Sequence, residues 1–472
     1  MDDSHDPIRP DELDGLFARF AALAPCALAV SGGSDSTALM VVFADWLRLR
    51  GEDFGGYSVL TVDHGLRAEA AAEARAVAAA AHGLGYRHTT LVWQGPKPAT
   101  GIQAAARAAR YRLMGDHLRA HGLRFLLTAH TRDDQAETVL MRLARGSGID
   151  GLAAMSPVSP LSARHTADAG GGGLWIVRPL LDVPKSCLRA TLEARGVAWI
   201  EDPGNAAPEF ERARLRAARA SLDALGLTPA MLALSAARLA GARRALEASA
   251  DRLCDPREDV VRVDHCGFVA IDRARLRQAG EEVALRVLDR VIAAAGGAGE
   301  PVPLGKLEAI VAAVCDPVAA ASGRWTLARA LITARSAAEV EVEREPGREP
   351  LPELTLEPGR TALWDGRFRV TVGARFAGGG VRVRALGEAG LREVRRRGRV
   401  LEGTAARAAA AAPSMWHNGR LMAAPPLRFW TPPHTGDDLG AVFLGLEGAA
   451  GRSESDPLRQ HGSSNLRQRR GV

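Results

Sequence analysis

An apolar run, Ala27-Leu28-Ala29-Val30, passes directly into Ser31-Gly32-Gly33-Ser34-Asp35-Ser36 and then into the helical pattern Thr37-Ala38-Leu39-Met40-Val41-Val42. A buried strand that turns through a tight loop into a helix aims backbone N–H groups and the positive end of the helix dipole at one small volume, which suits an anion such as pyrophosphate. Gly32 and Gly33 let the backbone bend sharply and come close to phosphates. The hydroxyls of Ser31, Ser34 and Ser36 add donors. Asp35 repels phosphate unless a cation lies between them, and Mg²⁺ is the natural bridge. No Gly-Lys-Ser/Thr is present, so the loop is not a Walker A loop. An ordinary strand–turn–helix junction is the plain alternative, because glycine and serine are common in such turns.

The alternation continues. Strands are expected at Ala27–Val30, Tyr57–Val62, Arg87–Val92, Phe125–Ala129 and Leu174–Arg178, with helices at Thr37–Arg50, Glu69–His82, Gly101–His121 and Gln135–Arg145 between them. Alternating β and α segments predict an α/β fold with a parallel sheet covered by helices on both faces, and ligands at the carboxyl ends of the strands. Pro184–Arg195 reads as a further helix and Val197–Ile200 as strand-like. Ser162–Gly173 reads as a mobile insertion loop.

After Asp202-Pro203-Gly204-Asn205 the character changes. Residues 216–345 read as mainly helical, interrupted by a strand-rich patch at Val260–Ile271, and Glu343–Leu354 as a linker. Residues 346–450 carry short alternating strands and the arginine-rich helix Gly387–Val400, a small α+β domain. Residues 451–472 are expected to be a disordered tail. With residues 1–215 as the nucleotide-binding domain, this agrees with the number of domains that 472 residues allow.

The charge balance is +6 and no apolar run of 18 residues occurs, so a membrane span is not expected and an anionic partner such as RNA is allowed. The N-terminus lacks an apolar signal-peptide core. Five scattered cysteines without a C-x-x-C pair fit a reducing cytoplasm and argue against zinc or Fe–S sites.

Three further segments fall at the carboxyl edge of the expected sheet. Thr61-Val62-Asp63-His64-Gly65-Leu66-Arg67 places Asp63, His64 and Arg67 beside the phosphate loop, although Asp-His-Gly is equally a turn. Ala106-Arg107-Ala108-Ala109-Arg110-Tyr111 sets two arginines on one helix face, able to grip phosphate or simply to face solvent. His130-Thr131-Arg132-Asp133-Asp134-Gln135-Ala136-Glu137 begins a helix. Capping accounts for one aspartate; two plus Glu137, near His130, suggest Mg²⁺ ligation and a cationic ligand. Asp35, Asp133 and Asp134 are the candidate metal ligands.

These motifs, in this order, resemble the tRNA(Ile)-lysidine synthetase family of the PP-loop superfamily, with its adenine-nucleotide α-hydrolase-like fold. Arg178-Pro179-Leu180-Leu181 and the stretch Glu201–Arg216 extend the resemblance, with Gly204 and Ala213 departing from the usual serine and asparagine. Pro413–Met422 looks like the family's closing strand segment. The resemblance implies an ATP-dependent ligase that adenylates the oxygen on carbon 2 of the wobble cytidine of tRNA(Ile) with a CAU anticodon and lets L-lysine displace AMP. It implies ATP held by Ser31–Ser36 with Asp63 and His64 nearby. Arg107, Arg110 and Arg178 would stabilise charge at the α-phosphate. His130, Asp133, Asp134 and Glu137 would be catalytic, Glu137 serving the lysine ammonium or its activation. A cytoplasmic enzyme is expected, with a homodimer left open. Arg392, Arg395, Arg396 and Arg399, on the helix that also carries Arg397, are expected to touch tRNA. Two other functions are weighed: a PP-loop tRNA thiolase, opposed by the absence of cysteine in the motifs, and a non-catalytic RNA-binding protein, opposed by the full acidic set.

Overall fold

The computed structural model describes residues 6–98, 100–161, 173–201, 211–297, 302–316, 323–334, 336–347, 350–376, 378–398 and 405–446. The expected insertion loop, the Gly204 departure and the tail lie outside these residues. The chain divides into two compact units, the first ending at Arg244 and the second beginning at Ala245.

The first unit runs α1 (Leu13–Phe17), β1 (Cys26–Ala29), α2 (Ser34–Leu49), β2 (Tyr57–Asp63), α3 (Ala70–Leu84), β3 (Arg87–Val92), α4 (Ile102–Ala120), β4 (Phe125–Leu127), α5 (Arg132–Leu143), α6 (Ile149–Leu152), β5 (Val158–Pro160), β6 (Trp175–Val177), α7 (Lys185–Ala194), α8 (Glu211–Ala217) and α9 (Arg219–Ala224). Helix α10 (Pro229–Cys254) carries the chain into the second unit. The sheet has the order β3-β2-β1-β4-β6-β5. Strands β1 to β4 and β6 are parallel, and β5 adds an antiparallel edge that the sequence reading lacked. The chain builds outward from β1 to β3, then returns to place β4 on the other side of β1. Ligands bind at such a reversal, outside the carboxyl ends of the strands.

Successive β1 residues point to opposite faces. Leu28 joins Leu39, Val42, Phe43, Trp46, Leu188 and Leu192 from α2 and α7. Its neighbour Ala27 joins Leu60, Tyr111, Met114, Leu118 and Leu126, mostly from α4 and the adjacent strands. Phe17 meets Phe43 edge-on at 5.1 Å under the first face. Both faces of β1 are thus dry, which fixes its register and the start of the loop that follows.

Val197–Ile200 forms no strand. Its apolar residues pack, but the Ile200 N–H donates to the Gly32 carbonyl at 2.9 Å, so the segment lies against the phosphate loop rather than in a ladder.

The second unit departs further from expectation. Residues 216–345 carry more helix than strand, as expected, but their strands reach well beyond the patch read at Val260–Ile271. Strands β7 (Val261–Val263), β8 (Val269–Asp272), β9 (Gly323–Leu327), β10 (Ala330–Ala334) and β11 (Glu339–Arg344) form an antiparallel sheet of order β7-β8-β11-β10-β9, packed on α12 (Glu281–Gly296) and α13 (Leu304–Cys315), with the short α11 (Arg273–Gln278) preceding them. Val340 and Val342 are buried in strict alternation with glutamates, a period-two pattern that outweighs the charge of the segment. Glu343 and Arg344 therefore close a strand, and the linker is shorter than expected.

The rest of the unit comprises β12 (Leu354–Leu356), β13 (Thr361–Trp364), β14 (Phe368–Val372), β15 (Val381–Ala385), α14 (Gly387–Arg396), α15 (Ala406–Ala410), β16 (Pro413–His417), β17 (Arg420–Ala424), β18 (Phe429–Trp430) and β19 (Leu439–Phe443). A five-stranded and a three-stranded sheet share one core around Trp364, Phe368 and Met415. Among the described residues no helix is long and apolar enough to cross a membrane.

Candidate active site

The loop after β1 is held by its own side chains. Ser36 Oγ accepts from the Ser31 N–H at 3.1 Å and donates to the Gly33 carbonyl at 3.0 Å. Thr37 Oγ1 donates to the Gly32 carbonyl at 3.1 Å. Gly32 has φ +91°, and a Cβ there would lie 2.6 Å from Ile200 Cδ1, so both conformation and space require glycine. The cap of α2 is Gly33, which offers no side-chain bond to the first turn. A helix start leaves its first amides without intrahelical partners, and here the residues that carry them, Ser34, Asp35 and Ser36, line the cavity described next.

A cavity of about 430 Å³ opens at the β1/β4 reversal, within the size range of ligand sites. Its lining brings together Ser31, Gly33, Ser34, Asp35 and Ser36 of the loop, Arg107 and Arg110 of α4, His130 after β4, Lys185 and Arg189 of α7, and Arg216 of α8. Five basic residues line it against two acidic ones, Asp35 and Glu201. That balance suits a polyanion.

The remaining expected residues lie outside this lining. Asp63 Oδ1 accepts from the Gly65 N–H at 2.8 Å, so it closes the turn after β2. His64 Nε2 lies 3.4 Å from the Arg110 guanidinium, and its ring meets Trp93 edge-on. Burial, then Arg110, lowers the His64 pKa to about 4. Arg178 donates to the Ser156 carbonyl at 2.8 Å and to Ser159 Oγ at 3.0 Å, bracing the strand ends rather than facing the cavity.

Both aspartates after β4 act as caps. Asp134 forms a capping box with Thr131, accepting from its N–H at 2.9 Å and its hydroxyl at 3.0 Å. Asp133 Oδ2 accepts from the Lys185 N–H at 2.8 Å, at the start of α7. Glu137 is buried, and its Oε1 accepts from Arg216 Nε at 2.6 Å, with Arg212 Nε 3.7 Å from Oε2. Capping thus accounts for two carboxylates where one was expected, because the second caps a different helix. Asp35, Asp133 and Asp134 do not converge, and among the described residues no three acidic, histidine or cysteine groups gather to hold a metal.

His130 Nδ1 lies 2.9 Å from Thr128 Oγ1. Burial, reinforced by Arg178, lowers its pKa to about 4. The ordinary value is about 6.5. Between these two values the unfolded chain holds more proton than the native one, so His130 lowers stability as pH falls from about 6.5 towards 4. His130→Gln should therefore lose less stability than the parent protein between pH 7 and pH 5, as read from urea unfolding.

The residues that hold this site also mark its lineage. Residues 11–220 match the PP-loop domain family. The tRNA(Ile)-lysidine synthase of Bradyrhizobium diazoefficiens is 44% identical over 377 residues, covering 78% of this chain and 95% of that protein.

The chain belongs to the tRNA(Ile)-lysidine synthase family.

The Methylobacterium nodulans tRNA(Ile)-lysidine synthase is 49% identical over 65% of this chain and 86% of its own length. That of Ruegeria pomeroyi is 38% identical over 88% of this chain and 92% of its own length, so the similarity extends through most of the second unit. In this family member, sequence reasoning missed Lys185, Arg189 and Arg216 as cavity residues. The signal for Lys185 was its place: a cation in the first turn of a helix opposes the helix dipole, which is unusual without a local reason.

A single carboxylate in a phosphate loop fits Mg²⁺, which commonly takes one or two protein carboxylates and completes its shell with phosphate oxygens and water. Asp35 supplies that carboxylate; its Oδ1 accepts from the neighbouring Ser34 hydroxyl at 3.2 Å.

Proposed function

We propose that this protein ligates L-lysine to carbon 2 of the wobble cytidine of tRNA(Ile) with a CAU anticodon, using ATP. The cytidine O2 attacks the α-phosphorus and pyrophosphate leaves. The lysine ε-nitrogen then attacks carbon 2, the C–O bond breaks, AMP departs with the oxygen, and the amine loses its protons. The products are lysidine, AMP and pyrophosphate. The observation that carries this reading is the cationic cavity built around Ser31–Ser36 at the β1/β4 reversal, in a chain of this family.

Each side chain has a task within it. The loop amides and serine hydroxyls bind the leaving phosphates. Arg107 and Arg110 neutralise charge that builds on the α-phosphoryl oxygens. Burial, then Arg178, keeps His130 neutral at pH 7, so it adds no charge to the cationic cavity. Glu137 takes the lysine ammonium. Mg²⁺, held by Asp35, would supply further charge neutralisation at the phosphates. The test is direct: purified protein, tRNA(Ile) transcript with a CAU anticodon, ATP and labelled lysine. Incorporation of label that depends on ATP and on the anticodon cytidine supports the reading; its absence overturns it.

Residues 216–345 and 346–450 are proposed to hold the tRNA body. Within α14, Arg396 and Arg397 both pair with Glu393 and Arg397 also donates to Thr431, so these two are held by the protein. Arg399 lies outside the described residues. Arg392 is 73% exposed with a loose 3.9 Å pair to the open Glu388, and with Arg395 it lines a groove beside α15. Changing Arg392 and Arg395 to alanine should lower the slope of log affinity for tRNA against log salt by about 1–2, since each phosphate contact contributes roughly 0.7–0.9. ATP affinity should not change. An unaltered slope removes this helix from the tRNA path.

A further inference from the structure

We infer that Lys185 is the pyrophosphate-binding cation of this site and that Asp133 is the residue that positions it. The inference takes the adenylation step from the proposed function, but its ligand is only the phosphate chain of the nucleotide.

A loop that binds phosphate without a lysine of its own leaves the charge of the departing pyrophosphate to be met from elsewhere. In this fold the cation set directly against the loop comes from α7. Lys185 Nζ donates to Asp35 Oδ2 at 2.9 Å, and the lysine side chain is two-thirds covered. It lines the same cavity as Gly33, Ser34, Asp35 and Ser36. The other cations of the lining have different attachments. Arg216 is held by Glu137, Arg189 lies 3.6 Å from Glu201, Arg110 contacts His64, and Arg107 lies over the Tyr111 ring at 5.1 Å.

The position of Lys185 has an energetic cost that needs a reason. It is the first residue of α7, where a positive charge opposes the macrodipole. The residue before it, Pro184, provides no side-chain cap. Asp133, from the first turn of α5, supplies that cap instead through its bond to the Lys185 N–H at 2.8 Å. Its carboxylate also offsets the unfavourable charge at the helix start. Asp133 therefore fixes the root of a flexible side chain whose tip reaches the loop. An ammonium has three donors, so Nζ can keep Asp35 and bind a phosphate oxygen together. Lysine serves phosphate in this way, as a point charge. Neutralising Asp35 also removes the repulsion that a carboxylate in a phosphate loop would otherwise exert.

The test is calorimetric binding of inorganic pyrophosphate with Mg²⁺, and separately of ATP with Mg²⁺, to the full chain without tRNA or lysine. Lys185→Met should weaken pyrophosphate binding about 10- to 100-fold, the range expected for one charge-assisted hydrogen bond. Lys185→Arg should recover part of it. Asp133→Ala should weaken binding less, and its effect should vanish in the Lys185→Met background, because it acts through that lysine. Affinity for tRNA should stay at the parent value in every variant, which a general loss of structure would not permit. Lys185→Gln carries the same comparison where Lys185→Met misfolds. Parent-like pyrophosphate affinity in Lys185→Met or Lys185→Gln overturns the assignment, and an Asp133→Ala effect of equal size in both backgrounds overturns the positioning role. A protein that makes no lysidine, yet loses pyrophosphate binding with Lys185, would sink the proposed reaction and leave this inference standing.

Discussion

Asp35→Ala should abolish pyrophosphate release in the presence of tRNA, ATP and Mg²⁺, with a fall of about a thousandfold or more. Three losses combine at one position. The carboxylate that would hold Mg²⁺ against the phosphates is gone, a contribution of several kcal/mol to a phosphoryl-transfer transition state. The ammonium of Lys185 loses its 2.9 Å partner and with it the orientation that keeps it against the loop. The Ser34 hydroxyl loses its acceptor in the first turn of α2. The fold itself should survive, because Asp35 is surrounded by polar groups at a cavity wall and none of the apolar contacts under α2 involves it. A loss of about 4 kcal/mol corresponds to roughly a thousandfold in rate. Single-turnover measurement of pyrophosphate release checks the expectation, and release at the parent rate would remove Asp35 from the chemistry. Nucleotide affinity should fall much less than rate, since the amides and serines of the loop remain.

The contrast between what the sequence revealed and what it hid follows from the range of the interactions. The phosphate loop was legible because its determinants are contiguous. A strand buried on both faces, two glycines and a helix start lie within a dozen residues, and Gly32 does adopt the positive φ that its neighbours demand. The parallel order was legible because alternating elements leave few topologies. Asp133 was misread because the helix it caps begins fifty-two residues later, and no local pattern announces a cap donated across the fold. Lys185 was missed for the same reason from the other side: its partner, Asp35, lies one hundred and fifty residues away. Val197–Ile200 looked like a strand because β-branched and aromatic residues favour one, yet its backbone found a partner in the loop carbonyl of Gly32 instead. Strands β7 and β8 fall on the patch read at Val260–Ile271, but β9 to β11 were hidden by composition. Glu339, Glu341 and Glu343 make β11 look solvated, although Val340 and Val342 between them are fully covered.

Glu137→Gln should raise the KM for lysine about a hundredfold while changing the KM for ATP less than severalfold. Glu137 is a carboxylate with 7% of its surface exposed, and Arg216, which does line the cavity, bonds it through Nε at 2.6 Å and through a terminal nitrogen at 3.3 Å. A buried carboxylate is the strongest cation-binding group available to an incoming ammonium, because the low surrounding dielectric magnifies its charge. Arg216 and, at 3.7 Å, Arg212 share this carboxylate, so it holds more than one cationic partner. Glutamine keeps the size and can still accept a hydrogen bond from either guanidinium, so the α5–α8 contact should persist. It cannot balance a second positive charge. Loss of a desolvated charge partner costs about 2–5 kcal/mol, which sets the hundredfold scale. Initial rates measured against lysine at saturating ATP, and against ATP at saturating lysine, separate the two constants. Equal rises in both would move Glu137 from the lysine to the alignment of Arg216 with the phosphates, and an unchanged KM for lysine would exclude it from lysine binding altogether.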